Sequence, residues 1–429
     1  MRVYVGVLPL LASLVSCAHG SAAPERRFSP VVDHHLHLLS PASADAKLDG
    51  DPLPEPLARL VRDREVSWND AKALAGLYAG NVTFYGAGRK WMTEPKEIAT
   101  ALASGFTGPY RLRPVTSRID GATAQISGFM VEGDGTNVHF GFFHLGLGKS
   151  PEGVWRITSE TEVFPGPSLE PPVTAEQTLR MLDAAGIQRG VVVSNAYYFA
   201  VRPQPEPDEY DKVRAENDWT AQQVASSSGR LVAFCSFNPL RDYALAELNR
   251  CASSGRFRGL KIHLNAAQLD FQEPRQVEKV RGVMEAANTH RLPMVIHVRS
   301  SEGYGREDAE VFLHQLVAAA PDVPIQIAHL WGGESYSAPA LAVYAGAVAA
   351  GDPVTKNLYF DISGAWLFGK PDQLREVAAR IREIGLGRIL YASDEPPPEA
   401  WKKFLTTLPL TEAEFRTIAS NVAPYMREP

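Results

Sequence analysis

Two histidines one residue apart, His35 and His37, stand in the run Val31-Val32-Asp33-His34-His35-Leu36-His37-Leu38. On an extended strand, side chains two apart point to the same side. Both imidazoles can therefore reach one metal ion, with Asp33 on that same side. Taken alone the run is also compatible with surface histidines after a short strand, because a metal site needs ligands from elsewhere in the chain. Candidates recur downstream. Lys261 and His263 are again two apart, His297 precedes Arg299, His329 precedes Trp331, and Asp394 closes Leu390-Tyr391-Ala392-Ser393-Asp394.

These residues need elements to place them. A strand over Phe28–Val32 leads into the first histidines, and Pro41–Leu60 reads as a Pro-, Ala- and Asp-rich linker. Residues 66–164 then follow a different rule. Helices at Asn69–Tyr78 and Pro95–Ser104 precede four strand-like runs separated by turns such as Asp120-Gly121, which describes a compact α+β unit. Its aromatics (Trp68, Phe84, Tyr85, Trp91, Phe106 and Trp155) read as core rather than as a ligand box. From Pro171 onward, strands alternate with helices. The strands are Arg189–Ser194, Leu231–Phe237, Gly259–Leu264, Pro293–Val298, Pro324–His329, Asn357–Ile362 and Arg388–Ser393. With the first strand they number eight, the count of an α/β (β/α)8 TIM barrel. An open doubly wound sheet is the alternative. The barrel is favoured because five of the 11 histidines (His35, His37, His263, His297, His329) fall at strand ends, where parallel barrels collect their chemistry.

The 429 residues, 45% apolar and 21% charged, suit a barrel carrying an insertion. A net charge of −6 offers no basic patch, so nucleic acid is not an expected partner. The expected partner is a small-molecule substrate, and a homo-oligomer is neither required nor excluded. Residues 1–20 read as a signal peptide: Arg2 precedes an apolar run too short to span a bilayer. Leu14-Val15-Ser16-Cys17 resembles a bacterial lipobox, which makes Cys17 the lipid acceptor. Cleavage after Ser21-Ala22-Ala23 is the alternative, and either implies export. The expectation is a periplasmic lipoprotein whose contact with the membrane is its N-terminal lipid anchor. Cys235 and Cys251 form no C-x-x-C pair and are expected as buried free thiols.

The barrel motifs resemble the amidohydrolase superfamily, in its amidohydrolase-2 branch, which includes aminocarboxymuconate-semialdehyde-decarboxylase-like enzymes. The resemblance rests on Val32-Asp33-His34-His35-Leu36-His37, Gly259-Leu260-Lys261-Ile262-His263, Val295-Ile296-His297, Ile327-Ala328-His329-Leu330-Trp331-Gly332-Gly333 and Leu390-Tyr391-Ala392-Ser393-Asp394-Glu395-Pro396. It covers residues 28–60 and 171–429. The inserted unit, residues 66–164, resembles a SnoaL-like, nuclear-transport-factor-like cone in its element order, with no acid/base pair to carry over.

By that resemblance His35, His37, His297 and Asp394 are metal ligands, and His329 and Asp394 are catalytic. His329 would polarise the substrate or orient the water, and Asp394 would take and return a proton. Three neutral imidazoles and a carboxylate suit one divalent ion, Zn2+ first and Fe, Co or Mn next. Such an ion brings the pKa of water toward neutrality. Lys261 is a bridging carboxylated lysine in binuclear relatives and a substrate-facing or structural one in mononuclear relatives. His263, Arg299 and Trp331 are candidate substrate contacts, with Arg202 a second guanidinium. The expected reaction is hydrolysis of an amide, ester or lactone. Non-oxidative decarboxylation is the alternative on the same fold, and a non-catalytic ligand-binding lipoprotein is the alternative from another class. The cone, spliced in just past His37, is expected to cover the barrel mouth and shape substrate access.

Overall fold

The computed structural model describes residues 28–46, 53–86, 90–105, 110–132, 139–163, 173–201, 205–299, 303–333, 336–365, 370–394 and 397–427. The signal segment with Cys17, Phe106, Arg202, and the pair Glu395-Pro396 lie outside them. Among the described residues, no helix is long and apolar enough to cross a membrane.

The strands, in chain order, are β1 (Val32–His37), β2 (Tyr78–Gly86), β3 (Lys90–Met92), β4 (Tyr110–Asp120), β5 (Thr123–Glu132), β6 (His139–Lys149), β7 (Trp155–Val163), β8 (Arg189–Val193), β9 (Leu231–Phe237), β10 (Phe257–His263), β11 (Met294–His297), β12 (Ile325–Ile327), β13 (Leu358–Asp361) and β14 (Ile389–Leu390). They form two sheets. One has eight strands in the order β1-β8-β9-β10-β11-β12-β13-β14, and the other has six in the order β3-β2-β7-β6-β5-β4. Every pairing in the first sheet is parallel. Its strands are buried on both faces, which is why they read as nearly continuous apolar runs such as Gly190-Val191-Val192-Val193. Backbone bonds from His34 N to the Tyr391 carbonyl (3.0 Å) and from Asp394 N to the His35 carbonyl (3.0 Å) carry the last strand back to the first. The result is the expected eight-stranded barrel.

β1 sits later than expected. The strand is Val32–His37 rather than Phe28–Val32, so the histidines belong to the strand itself. Asp33 explains the shift: its Oδ1 accepts from Ser393 N (3.1 Å) and from His35 N (3.2 Å), which pins this stretch against the far end of the chain. His34 points away from the site. Its Nδ1 donates to the Tyr391 carbonyl (2.9 Å) and its Nε2 accepts from Ala423 N (3.1 Å), so it is structural.

The six-stranded sheet belongs wholly to the insertion and has its own apolar cluster, which shares no member with the barrel's. The linker reading of Pro41–Leu60 is corrected. Helices occupy Pro41–Ala46 and Glu55–Val66, and Leu57, Leu60 and Val61 are buried in the cone's cluster. The inserted unit therefore begins near Leu53, not Val66. The spacing of Leu57, Leu60, Val61 and Arg64 is helical, and Pro56 in the first turn suits a helix start. Of the cone's aromatics Phe84 is fully buried, whereas Trp91 is 67% exposed and packs against Tyr85 at the sheet's edge.

The free-thiol reading of the cysteines is corrected as well: Cys235 on β9 and Cys251 on the helix Ala244–Ser253 form a disulfide. That helix packs back on its own strand and brings the two Cα atoms to 6.3 Å, within bonding range. Spacing along the sequence could not reveal a pairing made by helix-on-strand packing.

The cone also buries a charged cluster that its sequence did not announce. Arg64 Nη2 donates to Glu160 Oε1 (3.0 Å) and Glu162 Oε1 (3.1 Å). Tyr78 Oη donates to Glu160 Oε2 (2.5 Å), and all four residues are buried. Removing the cation would leave two uncompensated buried carboxylates. Arg64→Ala is therefore expected to destabilise the cone by about 3–5 kcal/mol. Thermal unfolding should show the loss, and an unchanged melting profile would contradict it.

Candidate metal centre

β1 delivers His35 and His37 to one side, and the turn after β14 delivers Asp394. His35 Nε2 and His37 Nε2 are 3.2 Å apart, and Asp394 Oδ1 lies 3.4 Å from the first and 3.3 Å from the second. The three ligand atoms make a nearly equilateral triangle. A tetrahedral ion with bonds of about 2.0–2.1 Å has ligand atoms about 3.3–3.4 Å apart, so the triangle is the right size for one face of its coordination shell. The donor chemistry agrees. Burial, reinforced by the Lys261 ammonium, lowers the His35 imidazole to about 4, so it is neutral with a lone pair to offer. Burial alone would raise the Asp394 carboxyl, but the imidazoles of His35 and His37 hold it well below the usual carboxylate range. Two imidazoles and a carboxylate fit a divalent ion.

The hydrogen bonds fix the histidine tautomers. His329 Nδ1 faces the Ser363 carbonyl (3.1 Å) and the Ser363 Oγ (3.0 Å). The hydroxyl has given its one proton to Asp361 Oδ1 (2.5 Å), so both Ser363 oxygens can only accept from the ring. His329 Nδ1 therefore carries the hydrogen, and its Nε2 accepts from His297 Nδ1 (3.2 Å). That leaves the lone pair of His297 on Nε2. His297 is not part of the close triangle; its ring stacks on His263 with centroids 3.9 Å apart. Burial holds both the His297 and His263 imidazoles well below their usual range.

Asp361, at the end of β13, was not anticipated. Its Oδ1 accepts from His329 N (3.0 Å), Ser363 N (3.1 Å) and Ser363 Oγ. Its Oδ2 accepts from Gln326 Nε2 (2.6 Å) and faces His35 Nδ1 at 3.4 Å. Burial would raise this carboxyl, but the bonds to His35 and Ser363 hold it well below its usual range. One ionised group thus aims His35 Nε2 into the triangle and, through Ser363, sets the tautomer of His329. The available signal was a lone carboxylate closing the apolar run Leu358-Tyr359-Phe360-Asp361. Backbone strain marks the same region: His329 and Asp394 both take left-handed φ values, 58° and 55°. Such conformations persist where surrounding bonds over-determine them.

The remaining candidates divide. Lys261 is buried, and its Nζ stands 3.0 Å from His35 Nε2, on the triangle's side. His263 Nδ1 accepts from Ala266 N (3.0 Å), which puts its hydrogen on Nε2. Arg299 donates to the Leu269 carbonyl and braces the loop after β10. Trp331, expected as a substrate contact, is fully buried in the barrel's main apolar cluster beside Tyr336 and forms part of the wall. Asp33 shares a strand side with the histidines but spends its carboxylate on backbone bonds; burial raises it to about 7.

The profile of the amidohydrolase family matches residues 167–421, more than half of the chain, and the protein belongs to that family. The matched stretch begins after the cone. It holds Asp394 and the His263–His297–His329 row but not His35 and His37, which the barrel itself restores to the site. No curated protein matches the sequence. Among solved structures, a 2,6-dihydroxybenzoate decarboxylase complexed with 2,6-dihydroxybenzoate is 21% identical over 56% of this chain and 84% of that one, with a TM-score of 0.40. Apo IDCase from Metarhizium anisopliae is 16% identical over 64% and 88%, with a TM-score of 0.41. An NTF-2-like protein of unknown function from Shewanella oneidensis MR-1 is 17% identical over 25% and 96%, with a TM-score of 0.23.

Partners that orient a metal-bound histidine are worth about 10–100-fold in affinity. Asp361→Asn is accordingly expected to weaken metal binding by that order while leaving the fold intact. Competitive chelation followed by elemental analysis reads the effect, and wild-type retention would show that Asp361 does not orient His35 for the ion.

Proposed function

We propose that this protein is a metal-dependent hydrolase of small amides, esters or lactones, with one divalent ion, Zn2+ by preference, held by His35, His37 and Asp394 and by His297 as fourth ligand. The observation that carries this reading is the triangle of His35 Nε2, His37 Nε2 and Asp394 Oδ1, with sides of 3.2 to 3.4 Å. The ion supplies a Lewis acid that polarises a carbonyl and makes water nucleophilic near neutral pH. The chain supplies the rest. Asp394, ionised at neutral pH, takes the proton of the attacking water and returns it to the leaving group. His329 holds the His297 tautomer that keeps its Nε2 lone pair available, and His263 Nε2–H is a donor for a substrate oxygen.

Non-oxidative decarboxylation is the second reading, and one observation favours it. The Lys261 ammonium, 3.0 Å from His35 Nε2, is a cation placed where a substrate carboxylate could rest. Elemental analysis together with a panel of esters, lactones, amides and aromatic carboxylates separates the two. Water uptake without gas supports hydrolysis, and release of CO2 supports the alternative. His35→Ala is expected to lose both the metal and the activity, by about 10³-fold or more in kcat/KM. Full activity in that variant would end both readings.

The reading extends to export of the chain as a periplasmic lipoprotein. The Cys235–Cys251 disulfide supports it, since such bonds persist in oxidising compartments. Radiolabelled palmitate should enter the wild-type protein and not Cys17→Ser. The cone, inserted between β1, which carries both histidines, and β8, is proposed to select among substrates. Replacing residues 53–163 by a short linker should widen the substrate range with the metal retained, and loss of the metal would place the cone in the primary site instead.

A further inference from the structure

Away from the metal centre, a cleft of about 320 Å³ opens between the loop after β9, the loop after β10 and the start of the helix Pro274–Thr289. Three of its lining residues are cations, Arg241, Arg275 and Lys279, and three are amides, Asn238, Gln268 and Gln276; the other three are aliphatic. Among the described residues, no carboxylate lines it. Both loops follow C-terminal strand ends, so the cleft lies on the same rim as the metal centre, outward from His263.

The cations are held differently, and the differences matter. Arg241 is braced from behind by Glu209, with bonds of 2.9 and 3.0 Å from its Nε and Nη2, and Tyr243 Oη also donates to that carboxylate (2.6 Å). Lys279 is tethered to Asp242 Oδ1 (3.2 Å) and to the Leu240 carbonyl (3.2 Å), with Asp242 itself fully exposed. Arg275 forms no ion pair among the described residues. Asn238 builds the wall, since its Nδ2 donates to the Ala200 carbonyl and its Oδ1 accepts from Leu240 N. Gln276 uses its Oε1 on Asp270 N (3.0 Å), which directs the amide's donor group outward. Glu273 already caps the helix by accepting from Arg275 N, so the attraction for an anion comes from side chains rather than from the helix end.

We propose that this cleft binds the anionic head group, phosphate or carboxylate, of a small molecule, at a site separate from the metal centre. One pre-braced guanidinium, one uncommitted guanidinium and one ammonium around a concave wall suit a planar or tetrahedral oxyanion. The volume accommodates an anion larger than an inorganic ion, at the lower end of small-molecule pockets.

The test is calorimetric titration of the purified full-length protein with inorganic phosphate and, separately, with succinate. Both are repeated on chelator-treated protein to remove any binding at the metal centre, and on the double variant Arg275→Gln/Lys279→Gln. Both substituted side chains lie on an exposed helix surface, so the variant should fold. The expected result is saturable binding of at least one anion that survives chelation and weakens at least about tenfold in the double variant. It should also weaken as salt rises. Absence of binding by both anions, binding abolished by chelation, or equal binding in the double variant would each overturn the proposal. Which anion binds distinguishes phosphate from carboxylate recognition. None of these outcomes depends on hydrolytic activity, so the proposal stands or falls apart from the reading of the metal centre.

Discussion

The seam between β1 and the turn after β14 is the constraint on which the site depends. Asp33 Oδ1 receives Ser393 N, His34 N reaches the Tyr391 carbonyl, and Asp394 N reaches the His35 carbonyl. These bonds pair residues some 360 positions apart. The one to Asp33 is buried and cannot be given up without leaving a polar group unsatisfied. Because the backbone of Asp394 is tied to the backbone of His35, its carboxylate starts beside the imidazoles and lies 3.3 and 3.4 Å from them. The triangle of His35, His37 and Asp394 is therefore a by-product of closing the barrel.

Behind that triangle, one buried carboxylate organises two rows of histidines. Asp361 touches His35 directly and His329 through Ser363, and Gln326 ties it to the backbone of β1 through the His34 carbonyl. A side chain that fixes the tautomers of two rings also fixes which nitrogen lone pairs remain. The left-handed backbone at His329 and Asp394 is tolerable because these bonds hold both residues from several directions. Rigidity of this sort would let the candidate metal centre be formed before an ion arrives rather than around it.

Much of this is legible in the sequence. Apolar runs alternating with helices mark the eight strands, and histidine placement at their ends locates the rim. The failures have specific causes. Pro and Ala mask the helix Glu55–Val66, whose apolar spacing is visible once Arg64 is counted on the buried side. The apolar pattern sets the first strand too early because it gives no weight to Asp33, whose bonds to Ser393 and His35 hold it in the strand. Asp361 escapes notice because a single acidic residue after Phe360 has no spacing motif. The disulfide depends on packing a helix against its own strand, which no local pattern encodes. Trp331 stands two residues past His329 and so reads as a contact, yet its ring is buried inside the wall.

The insertion also sets a timetable for folding. All of the cone's sheet and its cluster lie between Leu53 and Val163, so that unit can consolidate once its own stretch of chain is present. β1 cannot. Its neighbour β8 begins only at Arg189, and the residues that close the seam come after Leu390. Contacts that span most of a chain form late and slowly, and a strand whose backbone N–H and C=O groups lack their partners is a hazard while it waits. The opening strand must thus be kept from foreign partners until β8 and the residues after Leu390 are present, and a helper that shields unpaired strand edges would have its strongest effect there.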